Sequence, residues 1–434
     1  MTSSVETPRG GDTIFAAATP PGRGAIAVIR ISGPYAHDAL AILTGGCVPA
    51  DRVMRLRRLL GRSADDVLDE ALVVAFPEGA SATGERCAEL HLHGGPAVVR
   101  DVLARLTEVD GLRMARPGEF SRRALEGGRL DLVQLESLAD LIEAETSAQR
   151  RQAIRLASGA LTDVATQWRS SLIGTMALFE AVIDFADDVP DEVEGAAREQ
   201  VAAVVAAMDA ALAAAKGAAL VRDGFEVSLI GPPNAGKSSI LNRIAGREVA
   251  LTDALPGTTR DVIEVRCTLG GRLVTFVDTA GRRESEDRVE RAGVMWGLRR
   301  AASSDMRVAV ASWDAPEIVE SDLCVWNKVD VAPAPGGFTG VPVSAVSGHG
   351  VDRLLAEIES RLDGLVGESG LLAQARHVAA VGEARSHLVA AISEKAEFAA
   401  EELRLAVRAL DMLLGRVDVE AVLDEVFGRF CLGK

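Results

Sequence analysis

Eight residues constrain this chain more than any others: Gly231-Pro232-Pro233-Asn234-Ala235-Gly236-Lys237-Ser238. Their spacing is G-x-x-x-x-G-K-[ST], a loop whose backbone N–H groups wrap phosphate oxygens. The lysine reaches the outer phosphates and the serine hydroxyl ligates Mg²⁺. Such a loop has to connect a buried strand to the N-terminus of a helix. Both are present, since FEVSLI precedes it and SILNRIAG follows it. From Phe225 to about residue 362 strand and helix patterns alternate, which predicts a parallel α/β sheet.

Further motifs follow in a fixed order. Asp278-Thr279-Ala280-Gly281 closes the strand LVTFVDTAG, where the aspartate can support the Mg²⁺ shell and Gly281 can face a γ-phosphate. Thr258 and Thr259, in PGTTRD, stand between these motifs, as a switch threonine should. Asn327-Lys328-Val329-Asp330 follows DLCVW, and an aspartate so placed accepts from the N1–H and exocyclic amine of guanine. Ser344-Ala345-Val346 follows VPV and would finish the base pocket. The chain has five lysines, and two of them (Lys237 and Lys328) sit in these motifs. With Asn234, Ala235, Gly236, Ser238 and Ser239 of the phosphate loop, these residues form the expected GTP site. Arg282 follows Gly281, so a water-orienting glutamine is missing there. Glu284, Glu286, Asp287 and Glu290 could each replace it, although their periodicity suits a solvated helix face.

At 434 residues the chain is long enough for two or three domains. AIAVIRIS (Ala25–Ser32), ALVVAF (Ala71–Phe76) and AELHLH (Ala88–His93) read as strands. From Ser121 the period becomes helical, with Leu132, Leu135, Leu138, Leu141 and Ile142 at three- and four-residue steps. Helical character runs to Arg222 and returns after Gly364. The expected division is therefore an N-terminal domain (1–120), a helical domain in two parts (121–222 and 366–434) and an α/β domain (223–365) inserted between them. A net charge of −16 excludes non-specific coating of nucleic acid. Aromatics at 4% with one tyrosine, Tyr35, exclude a base-stacking platform. The five scattered cysteines give neither a disulfide framework nor a zinc site and suit a reducing, cytoplasmic setting. MTSSVETPRGGDT has no apolar core for a signal peptide. Val201–Leu220 comes nearest to a membrane span, but Asp209 and Lys216 interrupt it and alanine dominates it, so a packed helix is expected.

Several blocks point to one family. DTIFAAATPPGRGAIAVIRISG (Asp12–Gly33), ELHLHGGP (Glu89–Pro96), RPGEFSRRALEGGRLD (Arg116–Asp131), GPPNAGKSS, PGTTRD and the terminal Cys431-Leu432-Gly433-Lys434 resemble the MnmE (TrmE) family of tRNA modification GTPases, essentially end to end. The resemblance implies a multidomain α/β and all-α chain. Its parts would be an N-terminal α+β folate-binding domain that forms a homodimer, a discontinuous helical domain and an inserted Ras-like P-loop G domain. It implies action on tRNA with a flavin-dependent partner, MnmG (GidA), in a heterotetramer. Together they would install an aminomethyl or carboxymethylaminomethyl group at C5 of the wobble uridine, with 5,10-methylene- or 5-formyl-tetrahydrofolate as one-carbon donor.

Carried over by residue, Asn234 is the potassium ligand, with carbonyls of Asp253, Leu255 and Thr258. Ser238 and Thr259 hold Mg²⁺, and Glu290 orients the attacking water. Arg30, Glu89, Arg129 and Lys434 contact the folate, with arginine at 129 where lysine is common. Potassium-dependent pairing of G domains replaces an external activating protein.

The chain also departs from the family pattern. Asp278 and Asn327 stand 49 positions apart, leaving little room for a helix between their strands. The intervening core strand is interrupted by Arg307 and lacks an aspartate at its end, and LTDALPGTTRD shifts the switch-loop pattern. Glu89, His91 and His93 alternate along one strand and could face a metal, but a polar wall is the expectation. Cys431 is a possible nucleophile with no histidine in the last forty residues to activate it, so a packing or substrate-adjacent thiol is expected. Arg52, Arg55, Arg57 and Arg58 form the densest basic run, expected as solvated surface. The competing reading is a ribosome-associated or signalling G protein, which should carry a basic appended module. The acidic flanks here do not supply one.

Overall fold

Alternating side chains set the first sheet. In the computed structural model, which describes residues 12–185, 190–247, 264–278, 300, 302–366, 370–417 and 433, the chain divides into two compact units. Residues 1–139 with 411–434 make one, and residues 140–410 the other.

The first unit holds strands β1 (Thr13–Ala17), β2 (Ile26–Ser32), β3 (Arg55–Leu60), β4 (Val67–Phe76), β5 (Cys87–His93) and β6 (Leu112–Met114). They form one sheet in the order β3-β4-β5-β2-β1-β6, antiparallel except for β1 with β6. Ile29, Ile31, Leu90, Leu92 and Val73 point to one face. There they pack under helices α1 (Ala36–Leu43) and α2 (Pro96–Thr107), whose first turn accepts Pro96 because that N–H needs no partner. The opposite face meets α3 (Glu119–Glu126) at one end, through Ile14, Ala16 and Phe120. One detail differs from the sequence reading: β4 starts four residues before Ala71. The basic run is at the surface as expected, with Arg52, Arg55 and Arg58 exposed, and it overlaps β3. Strand β3 is the edge, where arginine is tolerated and discourages pairing with another chain.

In the second unit a helical bundle accompanies the parallel sheet. Its helices include α5 (Ser147–Ala157), which follows α4 (Leu132–Glu143), then α6 (Ala160–Asp184), α7 (Asp191–Ala213) and α8 (Ala215–Asp223). Thr146 and Gln149 close a capping box at the start of α5. Glu192–Asp223 is the one helical stretch among the described residues long and apolar enough to cross a membrane. Its apolar residues nevertheless form a core stripe: Ala197, Val201, Val204 and Met208 are buried where α7 packs on α6 and on a later helix, Ala375–Ser393.

Strands β7 (Phe225–Ile230), β8 (Glu264–Leu269), β9 (Arg272–Asp278), β10 (Met306–Ser312), β11 (Leu323–Asn327) and β12 (Val341–Pro342) form the second sheet in the order β12-β11-β10-β7-β9-β8. Only β8–β9 is antiparallel. Helices α9 (Lys237–Ala245) and α10 (Val351–Val366) bury Ile240, Leu241, Ile244, Leu354, Ile358 and Leu362 against Val227, Leu229, Val308 and Val325. The order places β7 between β9 and β10, so its carboxyl end lies at the topological switch point where such sheets bind ligands.

Arg307 does not break its strand. It is the second residue of a continuous β10, partly exposed, with its N–H donating to Asp322 and its guanidinium facing the same carboxylate. The cramped connection to β11 carries no helix. After Ser312 the chain turns at once through Trp313 and Asp314, with Ser312 and Ala315 exchanging backbone hydrogen bonds.

Candidate functional site

Four loops leave the carboxyl ends of parallel strands on the same edge of the second sheet, at Gly231, Asp278, Asn327 and Val343. The first is the phosphate loop. Asn234 adopts a left-handed conformation (φ +64), and so does Gly236 (φ +94), which winds the chain into the nest that directs N–H groups inward. A Cβ on Gly236 would lie 2.1 Å from Nδ2 of Asn327, so the loop and the base-reading strand meet only because residue 236 is glycine.

Lys237 is 5% exposed, and its Nζ donates to the carbonyls of Gly231 (2.9 Å) and Pro232 (2.8 Å). Burial pushes its ammonium below the ordinary lysine range, and the Asp278 charge opposes that shift. A cation held this way gains from any anion that enters the loop. The Ser238 hydroxyl donates to the buried carboxylate of Asp278. A hydroxyl and a carboxylate in contact beside a phosphate nest are the oxygen donors that suit Mg²⁺.

Asn327, 1% exposed, ties three loops together. Its Nδ2 donates to Ala235 O (3.0 Å) in the phosphate loop, and its Oδ1 accepts from Ala345 N (3.2 Å). Lys328 sits at φ +62 and reaches both oxygens of Asp314. That contact and the Ser312 hydroxyl hold the Asp314 carboxyl below its usual range. Asp330 and Val346 are exposed at the rim, while Ser344 is fully buried, its Oγ accepting from Ser347 N. Arg243 of α9 donates to Val346 O at 3.1 Å and so braces the last loop. Asn234 and Ser239 are exposed toward solvent.

Thr258, Thr259, Asp253, Leu255, Thr279, Ala280, Gly281, Glu284, Glu286, Asp287 and Glu290 lie outside the described residues, as do Cys431 and Lys434. Asp314 and Arg243 are in none of the motifs. The only sequence signal for Asp314 is a carboxylate two positions past a strand that lacks one at its end.

In the first unit, strand register brings Arg30 opposite Glu89, and the two pair at 2.8 Å, partly exposed (24% and 19%). The Arg30 guanidinium lies 5.9 Å from the Phe120 ring centroid. A carboxylate, a cation and an aromatic ring on a partly open sheet face suit a flat ligand with ring N–H donors and an anionic tail. Arg129 follows α3, its stem beside Gly84. Gly433 is buried against the end of β1. A Cβ there would lie 2.2 Å from Ala17 O, beside the strand whose Ala16 pairs with Arg30. His91 lies 3.5 Å from Glu89, whereas His93 pairs with Asp69, so the three alternating residues do not converge. Among the described residues no group of three His, Cys, Asp or Glu is placed to hold a metal.

A phosphate nest, a buried lysine and a base-reading strand end on one parallel sheet define a P-loop GTPase domain, here carried inside a helical chain. Family models agree over most of the sequence: "GTP-binding protein TrmE N-terminus" covers residues 13–129 and "MnmE helical domain" covers 132–431. A protein of Cereibacter sphaeroides called tRNA modification GTPase MnmE is 47% identical over 435 residues, spanning 98% of this chain and all of that protein. One of the same name from Dinoroseobacter shibae is 45% identical over 434 residues, with the same coverage. Among solved structures, the G domain of the T. maritima FeoB iron transporter overlaps 32% of this chain and 98% of its own at 23% identity, with a TM-score of only 0.24. The chain belongs to the MnmE family of tRNA modification GTPases.

Proposed function

We propose that this chain is the potassium-activated GTPase subunit of a cytoplasmic tRNA-modifying complex. It would work as a homodimer with MnmG and act on C5 of the wobble uridine with a tetrahydrofolate one-carbon donor. The observation that carries the reading is the meeting of the phosphate loop, the base-reading strand end and the Ala345 loop through Asn327, with Asp278 joined to the phosphate loop through Ser238. The division of labour follows the segments: 1–120 for folate and dimerisation, 121–222 and 366–434 for the helical scaffold, 223–365 for nucleotide.

Within the G domain the loop N–H groups and Lys237 bind the phosphates, and Asp330 holds the base edge. Ser238 and Thr259 would hold Mg²⁺, beside the Asp278 carboxylate. Asn234, with carbonyls of Asp253, Leu255 and Thr258, would hold K⁺. Bound there, the two cations supply positive charge to the phosphate oxygens, K⁺ in the place an arginine finger would take. Glu290 orients the attacking water. On the first sheet Glu89 accepts from the pterin, and Arg30, Arg129 and Lys434 face the anionic tail. The burial of Gly433 against β1 supports that role for the terminal residue.

Turnover in K⁺ against Na⁺ tests the nucleotide half. Na⁺ should lower kcat strongly with GDP affinity unchanged, and Glu290→Ala should abolish hydrolysis while GTP still binds, Glu284→Ala being mild. Equal rates in both salts would remove the potassium site.

A further inference from the structure

We propose that Asp314 is a positioning residue for the nucleotide site, holding Lys328 in place from the turn that connects β10 to β11. The inference rests on Asn327, Lys328 and Asp330 being the guanine reader.

Neighbouring parallel strands are usually joined by a crossover of a dozen or more residues containing a helix. Here ten residues, 313–322, make the connection without one. The register sets Ser312 opposite Asn327, so the residues just past each strand end are neighbours. The backbone exchange between Ser312 and Ala315 tightens the turn, and the Ser312 hydroxyl donates to Oδ1 of Asp314 at 2.7 Å. The carboxylate is thereby fixed before it meets its partner. Lys328 Nζ then donates to Oδ1 (2.8 Å) and Oδ2 (2.6 Å).

Two features mark this pair as more than a surface ion pair. Lys328 is one of three non-glycine residues with positive φ among the described residues, and another is Asn234 in the phosphate loop. Strain at such positions persists where the surroundings fix the residue. The Lys328 stem also crosses the phosphate loop, its Cε 4.0 Å from where a Cβ on Gly236 would stand. A pair about one-third exposed at each partner adds little to stability. Its effect is on direction: the lysine stem is drawn flat along the loop, forming a wall of the base pocket beside Asn327. Without Asp314 the ammonium has a choice of solvent or phosphate partners, and the wall is lost from the free protein.

The test uses the full chain with Asp314→Asn and Asp314→Ala, and the isosteric asparagine changes charge with little change of shape. Both variants should weaken GDP and raise the KM for GTP about tenfold, the scale of one charge-assisted hydrogen bond, with kcat within about twofold. Asp314→Glu should recover part of the affinity. Melting temperatures should stay close to that of the parent. Unchanged GDP affinity in both variants overturns the proposal, and so does a fall in kcat at constant KM. Asp330→Asn runs alongside and should transfer preference from guanine to xanthine nucleotides. Failure of that transfer would strike the base-site reading itself, whereas a transfer with a silent Asp314 would strike only this inference.

Discussion

In the parallel sheet the polar groups of interest leave from strand ends, whereas in the antiparallel sheet they stand on a face. At the strand ends most partners are backbone atoms: Lys237 donates to two carbonyls, Asn327 joins Ala235 O to Ala345 N, and Arg243 reaches Val346 O. On the face the partners are side chains, as with Arg30 and Glu89. Beside them Arg113 and Arg123 both bridge Asp12 and Glu119. A site built on backbone should fail hardest when chain geometry changes and lose less to a single charge change nearby. A site built on ion pairs should behave in the opposite way.

Gly236→Ala puts that contrast to its hardest test. The added methyl meets Asn327 Nδ2 at a left-handed backbone position, and nucleotide affinity should fall on the order of 100-fold with folate binding unaffected. Calorimetric titration with GDP measures the loss, and near-normal affinity would show that the loops are not coupled through Asn327.

Glu89→Gln is the matching change on the face. It preserves shape and removes the charge opposite Arg30. Binding of a reduced folate should weaken about tenfold, and GTP turnover should not change. The partial exposure of the pair limits the stability cost to about 1 kcal/mol or less. A drop in GTPase rate equal to the drop in folate affinity would merge the two regions that the comparison separates.

The smallest effect concerns acid. Burial pushes the Glu119 carboxyl up, but Arg113, the Arg116 N–H and Arg123 outweigh it and hold the group below its usual range. Asp12 behaves alike: burial raises it, and hydrogen bonds and charge from Arg113 and Arg123 lower it further. Both folded values are depressed, so their stabilisation is present above the ordinary values of 3.8 and 4.5 and is lost as pH falls through the lowered ones. Melting curves of the parent and Glu119→Gln should therefore differ at pH 7 and converge toward pH 3. Parallel curves would show that the ion network contributes nothing.

The same contrast explains what the sequence reveals. Parallel topology puts these four positions at or just after strands of recognisable pattern, so Lys237, Asp278, Asn327 and Ser344 can be placed from spacing alone. Arg30 and Glu89 are 59 residues apart, and only strand register unites them, so family resemblance alone singles them out. Strand β3 hides because its edge position lets arginines replace the alternating apolar residues. Asp314 hides because its partner is set by a turn whose tightness depends on Ser312 and Ala315 pairing in space. Arg307 misleads in the opposite direction, since a charged residue near the start of a strand is compatible with burial of all that follows.

In the function proposed above, one chain joins a GTP-hydrolysing strand-end site to a folate-binding face in order to modify tRNA. Nucleoside analysis of tRNA from a strain lacking its own copy tests this directly. The strain would carry either the full chain or a version ending at Phe430, with GTP turnover of both proteins measured in parallel. The full chain should restore the modified wobble uridine. The shortened one should hydrolyse GTP at a near-normal rate and leave the uridine unmodified. Normal modification by the shortened chain would contradict the account, and so would a full chain that hydrolyses GTP and restores nothing.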